Sequence, residues 1–481
     1  WLALAFIALA QLMVIIDVTI VNIALPSAQK DLAVSDSARQ WVITAYTLAF
    51  GSLLLLGGRI ADYTGRKRTF LIGLVGFAGA SALGGAANTF GLLLAARALQ
   101  GGFGALLAPA ALSLLAVNFV DPKERAKAFG VFGAIAGGGS ALGLVLGGVL
   151  TEYLDWRWCF FVNIPVALIA GTGVYMVLRE TRAEGRAKFD IPGVLLVTSG
   201  LFMIVYGLSE AETDGWGSGT VLGLLLGGAA VLAVFVYVET RVDKPLLPLR
   251  VAVDRTRGSA YLAIALAVIG MFAMFLFLTY YLQVVKEYSP VKAGLAFLPM
   301  SAGVVITGGG LSARLIPKVP PRVLMVPGML IAASGMFLLS RLEVDTSYAA
   351  GVLPAEFLLG FGMGLVMAPA MNYATHKVAA EDAGVASAMA NTAQQVGGSI
   401  GVALLNTIAT SATGDYLKDH PPVNPKVRLE GLVHGFSVAT TYAGFILVGA
   451  AVLVGLLMNT PRPQHGETES PDEPARAVHV G

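Results

Sequence analysis

One cysteine, Cys159, stands alone in 481 residues. An internal disulfide and a multi-thiolate metal site are thereby excluded. Charge is also scarce: Asp, Glu, Lys and Arg make up 13% of the chain, where a soluble domain carries about 25%. No G-x-x-x-x-G-K-[ST] loop is present, so ATP is not expected to be hydrolysed here. The five histidines lie in loops, the tail or near segment ends and do not cluster with acids or the cysteine. No nucleophile–base arrangement is visible. Together these absences argue against an enzyme, a metal site or any cofactor, and nothing points to nucleic acid. The first residue is Trp1 rather than Met and already lies in an apolar run, so the start of the protein is expected upstream and no cleavable signal pattern can be argued.

Hydrophobic residues, in contrast, make up 56% of the chain, and the mean hydropathy is +0.74. Apolar stretches of about 20 residues recur, which is the length that crosses a bilayer as a helix. In hydrocarbon each backbone group must be satisfied within its own segment, so the expected class is all-α integral membrane. The 58 glycines fall inside these stretches, where small residues let helices approach closely. Spans are expected near residues 2–24, 41–58, 69–87, 90–117, 126–150, 158–178, 191–208, 219–238, 259–283, 291–311, 322–339, 348–371, 384–410 and 433–458, fourteen in all. On that count 22 of the 32 Lys and Arg fall on one side and 9 on the other, with Arg97 inside a span. The bias follows the positive-inside rule and predicts that both termini are cytoplasmic. Residues 459–481, rich in Pro, Glu and Gly, are expected to be disordered, and 414–431 reads as an exposed outer connection.

A dense cluster of charge lies in the segment Gly58-Arg59-Ile60-Ala61-Asp62-Tyr63-Thr64-Gly65-Arg66-Lys67-Arg68, between two apolar runs. A basic loop can flank any membrane helix. The spacing of Gly58, Asp62, Gly65, Arg66 and Lys67, however, resembles the signature of the major facilitator superfamily, placed in that family on the cytoplasmic face between helices 2 and 3. The resemblance implies a gating role, with Asp62 meeting the helix N-terminus of the span at 384–410, where an anion is favoured. That contact would break during the cycle.

The first span carries Ile16-Asp17-Val18-Thr19-Ile20-Val21-Asn22-Ile23-Ala24-Leu25-Pro26. A carboxylate inside a membrane helix is costly and usually marks a functional path, or else is paired structurally. The string resembles the first-helix signature of the fourteen-helix drug:proton antiporters of the same superfamily. That family implies two six-helix halves, here 1–180 and 258–458, with two linker helices in 181–257 and a cytoplasmic tail at 459–481. It also implies that Asp17 takes part in proton coupling and in recognising cationic drugs. Repeated halves around a central cavity suit a transporter.

Arg97-Ala98-Leu99-Gln100-Gly101 matches the family's R-x-x-Q-G element. Asp17 lies roughly 12 Å from the outer end of its span, and Arg97 enters its own span from the same side to a similar depth. The two can compensate each other's burial, as a functional couple or a purely structural ion pair. Glu356 is the other acid well inside a span, and reads either as a second titrating group or as a hydrated vestibule residue. Gly139, Gly143, Gly147 and Gly148 resemble the exporters' antiporter motif, although the proline after Gly143 is absent. Asn22, Gln100, Tyr280, Asn391 and Gln395 are candidates to line a substrate cavity. Met and aromatic residues such as Met274 and Tyr281 could line it too, or face neighbouring helices. Trp156, Arg157, Trp158, Asn163 and Pro165 read as interfacial anchoring.

The expected function is proton-coupled export of amphipathic or cationic small molecules from the cytoplasm across the cell membrane by alternating access. The partners are the substrate, protons and membrane lipid. A dedicated exporter of one metabolite, antibiotic, siderophore or lipid, and a non-transporting sensor or scaffold, are the other readings.

Overall fold

The computed structural model describes residues 1–36, 38–119, 121–180, 190–242, 245, 247, 251, 253–316, 318–375, 378, 383–422 and 424–458, apart from some helical side chains. The expected disordered tail at 459–481 lies outside them. So do most side chains of 122–138 and those of Asp62 and Tyr63.

Among the described residues every regular element is a helix. The first half comprises α1 (Leu2–Asp31), α2 (Trp41–Thr64), α3 (Arg66–Gly85), α4 (Phe90–Asn118), α5 (Pro122–Tyr153), the short α6 (Trp158–Phe161) and α7 (Asn163–Val177). Next come α8 (Ile191–Asp214) and α9 (Gly219–Glu239). The second half holds α10 (Arg255–Tyr280), α11 (Pro290–Ala296), α12 (Leu298–Val304), α13 (Ala313–Leu315), α14 (Pro321–Leu339), α15 (Leu353–Ala374), α16 (Ala383–Asp419) and α17 (Pro425–Leu457). Wide π-helical turns at Tyr281–Val285, Val305–Ser312 and Tyr348–Val352 extend or join these segments. Among the described residues, twelve helical segments are long and apolar enough to cross a membrane, so the chain is a multi-pass membrane protein. Large apolar side chains such as Val75, Leu168, Leu226 and Leu456 stand exposed on the outside of the bundle. Water would not tolerate that much bare hydrocarbon surface; lipid does.

Side-chain caps set several of the starts. Thr89 accepts the Leu92 N–H, Ser218 that of Val221, and Asn424 that of Val427. Each satisfies a backbone donor that the first helical turn leaves open. Between α2 and α3 the chain reverses through Gly65 at φ +108°, a conformation that only glycine adopts cheaply.

Glycine also sets the spacing of the bundle. A Cβ at Gly139 or Gly147 would run into α1 at Leu12 or Ile20, 2.9 Å away in each case, and one at Gly143 would overlap Thr19. In the second half, Gly397 and Gly401 of α16 approach Ala265 and Ile269 of α10 in the same way. The pairs α1–α5 and α10–α16 are thus both close contacts lined by glycine. Helices α8 and α9 pack on each other through Gly200 and Gly228. Helix α8 also bridges the halves: Gln40 of the first half donates to Ser209 at 2.5 Å, and Thr407 of the second donates to the Leu208 carbonyl at 2.9 Å.

Candidate functional site

Asp17 is completely buried in α1, and both carboxylate oxygens are occupied. Oδ2 accepts from Arg97 Nη1 at 2.7 Å. Oδ1 accepts from Gln100 Nε2 at 2.8 Å and from Asn163 Nδ2 at 2.9 Å. The spacing of Arg97 and Gln100 places them one turn apart on α4, on the face turned to α1. Nη1 of Arg97 also reaches Gln100 Oε1 at 2.9 Å, and its Nε donates to the Val42 carbonyl at 2.9 Å. The guanidinium lies 4.4 Å from the ring centre of Tyr46, whose negative face favours a cation. Ser81 closes the network, accepting from Gln100 at 2.8 Å and from Asn163 at 3.3 Å while donating to the Phe77 carbonyl. Five helices therefore contribute to one charge-compensated cluster without leaving the first half.

Asn163 corrects the sequence reading. It does not anchor the chain at the interface; the helix breaks at Val162, and Asn163 opens α7 in the interior, 1% exposed. Nearby, Trp156 and Arg157 both bind the Asp31 carboxylate, at 3.2 and 2.8 Å. Ser81 was equally invisible in sequence. A lone polar residue in an apolar run is the available signal, and it does not name a partner.

Glu356 sits near the start of α15, fully buried. Neither carboxylate oxygen has a hydrogen-bond partner among the described residues. The neighbouring Tyr348 hydroxyl donates to the Ala296 carbonyl at 2.6 Å.

The other candidates distribute as follows. Asn22 and Asn391 turn their amides onto their own helices, at Val18 and Ser387. Gln395 packs close to Gly51 of α2. Tyr280 lies on the opposite side of a cross-half contact: its hydroxyl donates to Gln29 of α1, and its ring carries the Arg39 guanidinium at 3.9 Å. Gln283 donates to the Ile23 carbonyl at 2.9 Å, and Glu152 accepts the Val291 N–H at 2.9 Å. A Cβ at Gly148 would meet Val291 at 2.7 Å. These contacts join the two halves at the end of the bundle that carries the Leu32–Gln40 connection. An apolar cleft bounded by Met274, Phe277, Tyr281, Leu339, Phe436 and Thr440 lies wholly within the second half, between α10, α14 and α17.

At the opposite end, the basic motif clasps the first half. The backbone N–H groups of Lys67 and Arg68, at the start of α3, donate to Glu180 at 3.2 and 3.1 Å, an anion at a helix N-terminus. Lys67 Nζ donates to the carbonyls of Tyr175 and Leu178 at the end of α7, at 2.8 and 2.6 Å, where a cation is favoured. Arg66 lies beside them at the first position of α3. A Cβ at Gly65 would press on Glu180. Gly58 is loosely packed, with Pro109 at 3.7 Å from an added Cβ; Gly57 is the tight position, against the backbone of Ala105 and Leu106. The gating contact expected of Asp62 lies outside the described side chains.

A model of the Major Facilitator Superfamily matches residues 7–402. The chain belongs to that superfamily. Among curated relatives of this transporter, the puromycin resistance protein pur8 of Streptomyces alboniger is 52% identical over 98% of this chain and 93% of its own length. The cephamycin export protein CmcT of Amycolatopsis lactamdurans is 38% identical over 85% of each chain. The lincomycin resistance protein of Streptomyces lincolnensis is 35% identical over 98% of this chain and 94% of its own. The POT family transporter PepTSo, seen in a crystal structure, superposes with a TM-score of 0.69 at 16% identity over 95% of this chain and 97% of that one, a likeness of fold.

Proposed function

We propose that this protein is a proton-coupled exporter of amphipathic or cationic drugs in the cell membrane, with both termini cytoplasmic and fourteen spans. The twelve apolar segments together with α2 and α5 would make that number, arranged as two six-helix halves (1–180 and 258–458) around the linker helices in 181–257. The observation that carries the reading is the buried Asp17, held by one cation and two neutral amides. A proton arriving at Oδ1 needs only an amide to turn away, whereas losing Oδ2 frees a guanidinium inside the bundle. Protonation therefore changes the stability of the five-helix cluster, and coupling follows if one conformation keeps the ion pair and the other does not. Glu356, without a hydrogen-bond partner among the described residues, is the second proton carrier. Cross-half contacts at the Leu32–Gln40 end form the outer closure of the cycle, and Gly139, Gly143 and Gly147 let α5 slide on α1. Asn22, Gln100, Tyr280, Asn391 and Gln395 face the path that opens when that closure parts. Asp62 and the Gly58–Lys67 motif control the inner side.

The likeness to a puromycin resistance protein favours a narrower second reading, export of one antibiotic class. A single experiment addresses both. Inverted vesicles with a preset pH gradient receive lipophilic cations and a set of antibiotics that includes puromycin, wild type beside Asp17→Asn. Gradient loss with several compounds in wild type alone supports the drug:proton reading. Loss with one class alone supports the narrower one. An unimpaired Asp17→Asn response would remove Asp17 from coupling.

A further inference from the structure

Two carboxyl groups outside the Asp17 cluster meet where α8 begins and α9 ends. Asp190 caps α8, and its Oδ1 accepts the Gly193 N–H at 2.9 Å. Glu239 is the last residue of α9, and its Oε2 accepts the Leu247 N–H at 2.7 Å. The remaining oxygens, Asp190 Oδ2 and Glu239 Oε1, are buried and receive no donor among the described residues. The residues themselves are only 7% and 3% exposed. Both orphaned oxygens converge on one point: a Cβ at Gly193 would overlap each, with Glu239 Oε1 2.6 Å away. A helix cap explains Oδ1 of Asp190 but leaves Oδ2 unexplained.

Two ionised carboxylates do not hold this arrangement, because both are acceptors and their charges repel. Arg59 of α2 bears on Glu239 electrostatically, yet its Nη2 donates to the Pro245 carbonyl at 2.8 Å. Arg241, beyond the end of α9, lies over the Tyr237 ring instead. A single proton removes the conflict. Helix dipoles say where it resides: a negative charge is favoured at the start of α8 and disfavoured at the end of α9. Glu239 is then the acid, donating through Oε1 to Asp190 Oδ2 while its carbonyl oxygen keeps the Leu247 N–H.

We propose that Asp190 and Glu239 share one proton, and that this proton-binding site at the root of the linker helices holds the connection after α9 against α2. Glu239 grips that connection at Leu247 and Arg59 grips it at Pro245. Loss of the proton to water turns a pair of charge −1 into one of charge −2, and the ends of α8 and α9 part. Arg59 lies inside the charged Gly58–Arg68 segment, so the protonation of the pair is felt at the start of the α2–α3 turn.

The test uses the purified full chain and needs no transport reading, so it stands or falls apart from the proposed export. Infrared spectra at neutral pH read the carbonyl band of a protonated carboxyl group, and thermal melting is followed against pH. Glu239→Gln carries a permanent donor in place of the proton; it is expected to remove one such band and to abolish the part of the melting temperature that wild type loses as pH rises. Asp190→Asn gives an ionised Glu239 its donor and is expected to remove the same band. Should one variant fail to fold, the other decides the matter. A folded variant that keeps the full wild-type carbonyl absorption, or an unchanged pH slope, overturns the proposal.

Discussion

Replacing Arg97 with methionine removes the cation of the Asp17 cluster while keeping an unbranched chain of similar reach. The guanidinium makes three hydrogen bonds, to Asp17, Gln100 and the Val42 carbonyl, and is 1% exposed. Its loss leaves a buried carboxylate with two neutral donors, a situation that costs about 3–5 kcal/mol. Asp17→Asn leaves the buried guanidinium without its counter-ion, although Gln100, Val42 and the Tyr46 ring remain, and should also cost about 3–5 kcal/mol. The double variant Asp17→Asn/Arg97→Met has no buried charge left to strand. It is expected to be more stable than the sum of the single losses by about 2–3 kcal/mol. Equilibrium unfolding in mixed micelles, followed by emission of the five tryptophans, measures each corner of the cycle. Losses that add to within about 0.5 kcal/mol would refute the view of Asp17 and Arg97 as one compensated unit.

Other consequences follow from the same geometry. Asn163→Leu deprives Asp17 Oδ1 of one donor and should destabilise by about 1–3 kcal/mol; in growth assays it should weaken drug tolerance more than Trp158→Leu, whose ring is largely exposed at the edge of the bundle. Gly143→Val drives a side chain into Thr19 and to within 3.1 Å of the Ile16 backbone. It should cost about 1–3 kcal/mol by overpacking, while a change at the open position Gly91 leaves melting unaltered. Arg39→Gln removes the cation over Tyr280, a contact of about 0.5–2 kcal/mol. A reporter cysteine at the buried Ala24 should then label about two- to thirtyfold faster, with buried Cys159 as the internal reference.

Much of the bundle was legible beforehand because a membrane span is a local property. Apolar runs of bilayer length give helices wherever they occur, and the observed α8 and α9 begin where 191–208 and 219–238 were expected. Asp17, Arg97 and Gln100 were also readable, because an ionisable or polar group in an apolar run announces its own cost. Glycines at four-residue spacing on α5 likewise declared a packing face, and that face meets α1.

Partnership was another matter. Asn163 lies 146 positions from Asp17, and no local pattern says that the amide turns inward rather than to the interface. The same holds for Arg39 on Tyr280 and for Asp190 beside Glu239. Nor could periodicity tell a hydrated Glu356 from the buried one observed, which has no hydrogen-bond partner among the described residues. Hydropathy and spacing determine which segments become helices, because those energies are summed along the chain. Which polar groups meet depends on how the helices tilt and approach, and that is decided by packing across the whole bundle.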